Sequence, residues 1–159
     1  MGAKGEALAR EFEAKAKSAG AFLNTLTDAE WQKTTEAERW TVAATAHHLA
    51  GAFEAVSGIV TGIVTGQTRG GFTMKMLDEM NAQHARDFAG CAKTETLALF
   101  DKGAATARSV IHGLSDDQLA KTGSVFSEVP PMSAEQLITL GLVRHIDEHI
   151  GSIRKTIGR

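Results

Sequence analysis

The chain contains two prolines in 159 residues, and they stand together at Pro130 and Pro131. Proline removes a backbone donor and breaks a helix interior, so its absence from the first 129 residues leaves that whole stretch free for long helices. Apolar spacing follows the same reading. Between Ala3 and Leu26, Leu8, Phe12, Phe22, Leu23 and Leu26 recur among Glu, Lys and Ala, which predicts a first helix over 3–26. Thr27-Asp28-Ala29-Glu30 has the form of a helix N-cap leading a short turn that carries Trp31. Val42, Leu49, Phe53, Val56, Val60 and Ile63 draw one stripe at about 100° per residue, which predicts a second helix over 41–65.

Gly66 to Gly71, with Arg69, matches neither phosphate-binding glycine pattern and reads as a flexible connection. Helical spacing resumes at Met74 and runs to Leu114, which predicts a third helix over 74–114 kinked near Gly90. Ser115 to Pro131 reads as turns, too short and too polar for a strand pair with a core of its own, so no sheet is expected. Ser133 with Gln136 three residues later forms a capping signal for a fourth helix over 134–157. The expected fold is all-α: a four-helix bundle, formed by residues 1–159 as one domain.

Seventeen basic against nineteen acidic residues give a net charge of -2, which supplies no electrostatic footprint for nucleic acid or an anionic membrane. The greasiest stretch, Val42 to Val64, is interrupted by His47, His48, Glu54 and three glycines, so no membrane span is expected. The first residues lack an apolar signal core, and Glu6 stands where a myristoylation motif wants Ser or Thr. A single cysteine, Cys91, builds neither an internal disulfide nor a thiolate metal cluster, and fits a reducing, cytoplasmic setting.

The chemical signal lies in the six histidines. His145 and His149 are four apart, so they share a helix face and can grip one divalent ion without bending the backbone. On the wheel, His149 falls about 50° and His145 about 90° from the stripe of Leu142, Ile146, Ile153 and Ile157, so both can point into the bundle. A third ligand is needed from another helix. His48 borders the apolar stripe of the second helix, among Thr45, Ala52 and Ile59, whereas His47 points away from it, near Glu54 and Thr61. Three histidines leave positions open for water or substrate, which is the catalytic type of site. Histidines four apart also occur on solvated helix faces, so spacing alone leaves both readings open. The string His145-x-x-Glu148-His149 also fits an inverted metalloprotease pattern, but no acidic third ligand follows His149.

Trp40-Thr41-Val42-Ala43-Ala44-Thr45-Ala46-His47-His48-Leu49 resembles the W-[ST]-x6-H-L signature of the DinB-like superfamily, related to the N-terminal domain of mycothiol-dependent maleylpyruvate isomerases. His145-Ile146-Asp147-Glu148-His149-Ile150-Gly151 is similar to the H-x3-H-I-G that closes such chains, and Asp78-Glu79-Met80-Asn81-Ala82 looks like the D-x-x-N-A of their third helix. The resemblance covers essentially the whole chain. It implies a four-helix bundle that holds a divalent metal, zinc or nickel, through His48, His145 and His149. It departs from the isomerases where their last motif carries Glu and this chain has His145, and where they carry a C-terminal domain.

The remaining candidates have structural alternatives. Trp31 and Trp40 read as core or boundary packing. Phe72, Met74 and Met76 read as helix-core filling, with a pocket mouth the alternative. His84 is expected to be partly exposed, with reach into a pocket the alternative, and His112 to meet a helix C-terminus. Cys91 lacks a cationic neighbourhood and is expected to be inert. Arg69, Arg86 and Arg144 each suit a substrate carboxylate. What the relatives imply is a metal-dependent S-transferase joining a low-molecular-weight thiol, of the mycothiol or bacillithiol kind, to a small electrophile. A metal-dependent hydrolase using bound water and a non-catalytic stress-response bundle that binds metal or ligand are the other readings. A monomer and a homodimer are both compatible with the sequence.

Overall fold

A computed structural model of the protein describes residues 2–68 and 70–159, so Arg69 lies outside the described residues. The long helices are α1 (Ala3–Asn24), α3 (Val42–Thr65), α5 (Lys93–His112) and a composite last helix. That last helix comprises α7 (Ala134–Ile138), a π-helical turn (Thr139–Val143) and α8 (Arg144–Ile157). Short helices α2 (Asp28–Trp31) and α6 (Asp116–Ala120) and the peripheral α4 (Met74–Asp87) complete the α content. α1 packs beside α5 and α8, and α3 packs beside the same two, so α1 and α3 lie diagonally opposed across the bundle.

The core fills that diagonal. Phe12 of α1, Phe53 of α3 and Phe100 of α5 are fully buried and stack edge to face, with centroids 5.3 Å and 4.9 Å apart. Gly103 lets α5 approach α3 closely, since a Cβ there would sit 3.0 Å from the Ala50 carbonyl oxygen and 3.1 Å from the Phe53 Cβ. Among the described residues α3 alone is long and apolar enough to cross a membrane by length and composition. Here one of its faces, with Val42, Ala46, Leu49, Phe53 and Val60, is fully buried.

Three departures from the sequence expectations have clear causes. The third helix is two helices, because Phe88 to Ala92 leave helical geometry and are tied to the N-terminal side of the bundle. There Thr41 Oγ1 donates to the Ala89 carbonyl at 2.7 Å, and Trp31 Nε1 donates to the Cys91 carbonyl at 2.8 Å. The polar stretch after Leu114 is not only turns: Ser115 and Gln118 form a reciprocal capping box that opens α6. It also contributes a two-residue antiparallel pair, β1 (Thr122–Gly123) with β2 (Met132–Ser133). The capping signals at Thr27 and Ser133 both form as full capping boxes.

The fourth helix is interrupted by its π turn. Residues spaced by four advance about 40° per step on a straight α-helix, so Ile138, Leu142, Ile146 and Ile150 would drift off one face. The wider π turn absorbs that drift, and all four are buried. Gly141 lies within it against α3, where a Cβ would meet Val56 Cγ1 at 3.1 Å. The turn ends two residues before His145 and so sets the angle at which that histidine enters the bundle.

Candidate metal centre

His48 comes from the first half of α3, and His145 and His149 from successive turns of α8. Their Nε2 atoms converge: His145 Nε2 lies 3.2 Å from His48 Nε2 and 2.8 Å from His149 Nε2. One ligand atom from each ring lies within 4.8 Å of both others. A tetrahedral ion with metal–nitrogen bonds of about 2.0–2.1 Å places its ligand nitrogens about 3.3 Å apart, close to this spacing. The donor set therefore fits a divalent transition-metal cation.

Protonation supports the same arrangement. Burial, then the neighbouring His149 and His145, push the His48 imidazole down to about 3, and burial and His149 push His145 down to about 4. Both rings are thus neutral near pH 7, the form that ligates metal. His149 Nδ1 stands 2.9 Å from Glu38 Oε1, and Ser152 Oγ donates to Glu38 Oε2 at 2.6 Å. Burial would raise the Glu38 carboxyl, but hydrogen bonds from Ser152, Thr35 and His149 outweigh it and hold the group below its usual range. An ionised Glu38 only accepts, so His149 Nδ1 donates to it and the His149 Nε2 faces the cluster. A cation at the centre of the convergence would take one Nε2 lone pair from each of the three rings.

Glu38 is a site residue that the helical patterns missed. It lies in the connector before α3, where Arg39 adopts a left-handed φ of 64°. Such a conformation is uncommon for a residue with a side chain, and it reverses the local chain direction between Glu38 and Trp40. As a result Glu38 reaches His149, while the Trp40 ring lies 5.2 Å from His48 and 6.4 Å from His149. Trp40 is therefore a wall of the site rather than only boundary packing. The Thr34–Thr41 bridge and the 2.8 Å bond from Thr35 N to the Trp40 carbonyl hold this loop.

His47 points away from the cluster, as its helical phase predicts, and meets a partner that the sequence did not pair with it. Its Nδ1 lies 2.8 Å from His84 Nε2 on α4, and its ring stacks on Phe88 at 3.8 Å. His84 is half-buried, and its ring lies 5.9 Å from His48. Asn81, from the third motif, is half-buried on α4. Glu148 is exposed, as are Arg86, which donates to Gln83, and Arg144. Burial raises the Cys91 thiol, which donates to the Ala43 carbonyl at 3.4 Å, consistent with an inert cysteine. Trp31 is core, and His112 closes α5. Met74 and Met76, expected in a helix core, are 44% and 45% exposed because α4 buries no residue of its own.

Comparison with known proteins places this geometry. The sequence profile of the mycothiol maleylpyruvate isomerase N-terminal domain matches residues 12–143. No curated protein matches the sequence. Among solved structures, the mycothiol-dependent maleylpyruvate isomerase superposes with a TM-score of 0.70 at 15% identity, over 94% of this chain and 59% of that one. A variant of the same isomerase gives a TM-score of 0.72 at 14% identity, with the same coverage. The chain thus spans 59% of the length of those isomerase structures. YfiT from Bacillus subtilis, described as a probable metal-dependent hydrolase with an unusual four-helix bundle topology, gives a TM-score of 0.67 at 20% identity, over 98% of this chain and 86% of that one. The chain belongs to the mycothiol maleylpyruvate isomerase N-terminal domain family, and its fold is the all-α, four-helix bundle of the DinB-like superfamily.

Proposed function

We propose that the protein is a divalent-metal-dependent enzyme that transfers a low-molecular-weight thiol to a small electrophile, with His48, His145 and His149 as the metal ligands. The observation that carries this reading is the convergence of three imidazole Nε2 atoms, with no fourth protein ligand among the described residues. A divalent ion held there would supply a Lewis acid that lowers the pKa of a thiol or water entering its open position. Glu38 fixes the tautomer and orientation of His149, and Ser152 fixes Glu38. Trp40 shields one side of the cluster from water. The thiol would give up its proton to solvent, its sulfur would bond to the electrophilic carbon, and that carbon would release its leaving group with the bonding pair or pass a π pair to an adjacent atom.

The mycothiol-dependent isomerases of the same family support thiol chemistry in this fold. The description of YfiT, which this chain matches over most of its length, favours hydrolysis by bound water as the second reading. Cobalt substitution separates the two. Titration with small thiols should produce sulfur-to-cobalt charge-transfer absorption in the native chain and none in His145→Ala. A spectrum indifferent to every thiol, with ester or amide cleavage retained, would overturn the transferase and leave the hydrolase.

A further inference from the structure

A cleft of about 600 Å³ lies away from the histidines, farther along α3, between that helix, Phe72, Met76 and Val125. Ligand pockets for small molecules span roughly 300–1,000 Å³, so the volume suits one such molecule. Helical geometry links the cleft to the metal centre. His48, Ala52, Ala55, Ile59 and Gly62 follow one another at steps of four and three, and therefore share a face of α3. At 1.5 Å per residue, Ala55 lies about 10 Å and Ile59 about 16 Å along the axis from His48.

The described lining favours an apolar occupant. Its described residues carry no charged side chain; hydroxyls and one amide, including Thr61 and Gln67, accompany Ala55, Ile59, Phe72 and Met76. Phe72 stacks on Phe126 at 5.8 Å, and Ser127 N donates to the Phe72 carbonyl at 2.9 Å, so that wall is braced. Gly58 leaves the floor open: a Cβ there would meet nothing within 4 Å.

We propose that this cleft binds the apolar body, aryl or alkyl, of the small-molecule substrate, whose reactive end extends along α3 to the three histidines. The assignment of substrate class rests on the function proposed above, but occupancy of the cleft is measured without metal or turnover. The probe is N-phenyl-1-naphthylamine, an uncharged diaryl amine whose fluorescence rises in apolar surroundings. The native chain should bind it saturably at one site. Gly58→Trp, which fills open space, should weaken binding by about tenfold or more, and Met76→Asp by at least about fivefold, with helical circular dichroism unchanged. His48→Ala should leave probe affinity within about twofold, because the probe fills only the cleft. Loss of metal-dependent turnover with intact probe binding would count against the metal chemistry and not against the cleft. Absence of saturable binding, or equal affinity in native chain, Gly58→Trp and Met76→Asp, would overturn the proposal. So would a native dimer that excludes the probe and dissociates in Gly58→Trp, which would assign the face to a second copy.

Discussion

Two groups of histidines sit side by side in this protein and differ in what holds them. His48, His145 and His149 join α3 to α8, their Nε2 atoms meet at one point, and Glu38 braces one of them from behind. His47 and His84 join α3 to α4 through a single 2.8 Å contact, with Phe88 stacked on the His47 ring. The first group has a ligand geometry; the second has the geometry of a clasp, which fastens a helix that buries no residue. Adjacent positions on one helix, 47 and 48, thus serve different ends because about 100° separates them on the wheel.

Removing a ligand should break the comparison most strongly. His145→Ala should lower metal affinity by more than about a hundredfold, above the range typical of outer-sphere changes, measured by competition with a chelating dye. The next effect belongs to the brace. Glu38→Gln should cost about 10–100-fold in metal affinity, and Ser152→Ala less, since the serine acts only through Glu38. Equal affinity in Glu38→Gln and the native chain would remove Glu38 from the site.

Acid should destabilise the metal-free chain, since burial lowers the pKa of His47 and His84 as well as of His48 and His145. Below pH 6.5 the unfolded chain protonates His48 and His145, whereas the folded chain resists until about 3 and about 4. The folded state therefore binds fewer protons, so stability is full above pH 6.5 and falls as pH drops through that window. Urea midpoints at pH 7.5 and 5 should show the drop, and His48→Gln should reduce it. A midpoint that is flat with pH would contradict neutral buried rings.

The clasp predicts smaller changes. His47→Ala and His84→Ala should leave metal affinity within about twofold while speeding hydrogen exchange across α4, whose opening needs little buried area to be lost. Arg39→Gly should be neutral or stabilising by up to about 1 kcal/mol in urea unfolding, because glycine adopts the left-handed conformation without strain.

Much of this was legible in the sequence. The proline-free run and the 3.6-residue periodicity carry α1, α3 and the last helix to within a few residues, and the capping signals at Thr27 and Ser133 form as read. α3 is an unbroken helix around His47 and His48, so the two rings leave it in different directions, as a regular helical phase requires. Three features were not legible, each for a physical reason. Glu38 lies in a connector, where no periodicity aims a side chain, and it reaches His149 only through the left-handed turn at Arg39. α4 has the spacing of a core helix but buries nothing, since periodicity records a face and not whether another element covers it. The π turn leaves no compositional mark beyond Gly141, whose smallness is needed by the approach of Val56.

The central claim is that three particular histidines form one metal centre, and the most direct test is metal content. Native chain, His47→Ala and His48→Ala, purified without chelator, are dialysed against a metal-buffered solution and analysed for bound metal per chain. The account predicts one divalent ion in the native chain and in His47→Ala, and loss of it in His48→Ala. Retention of the ion in His48→Ala together with its loss in His47→Ala would contradict it.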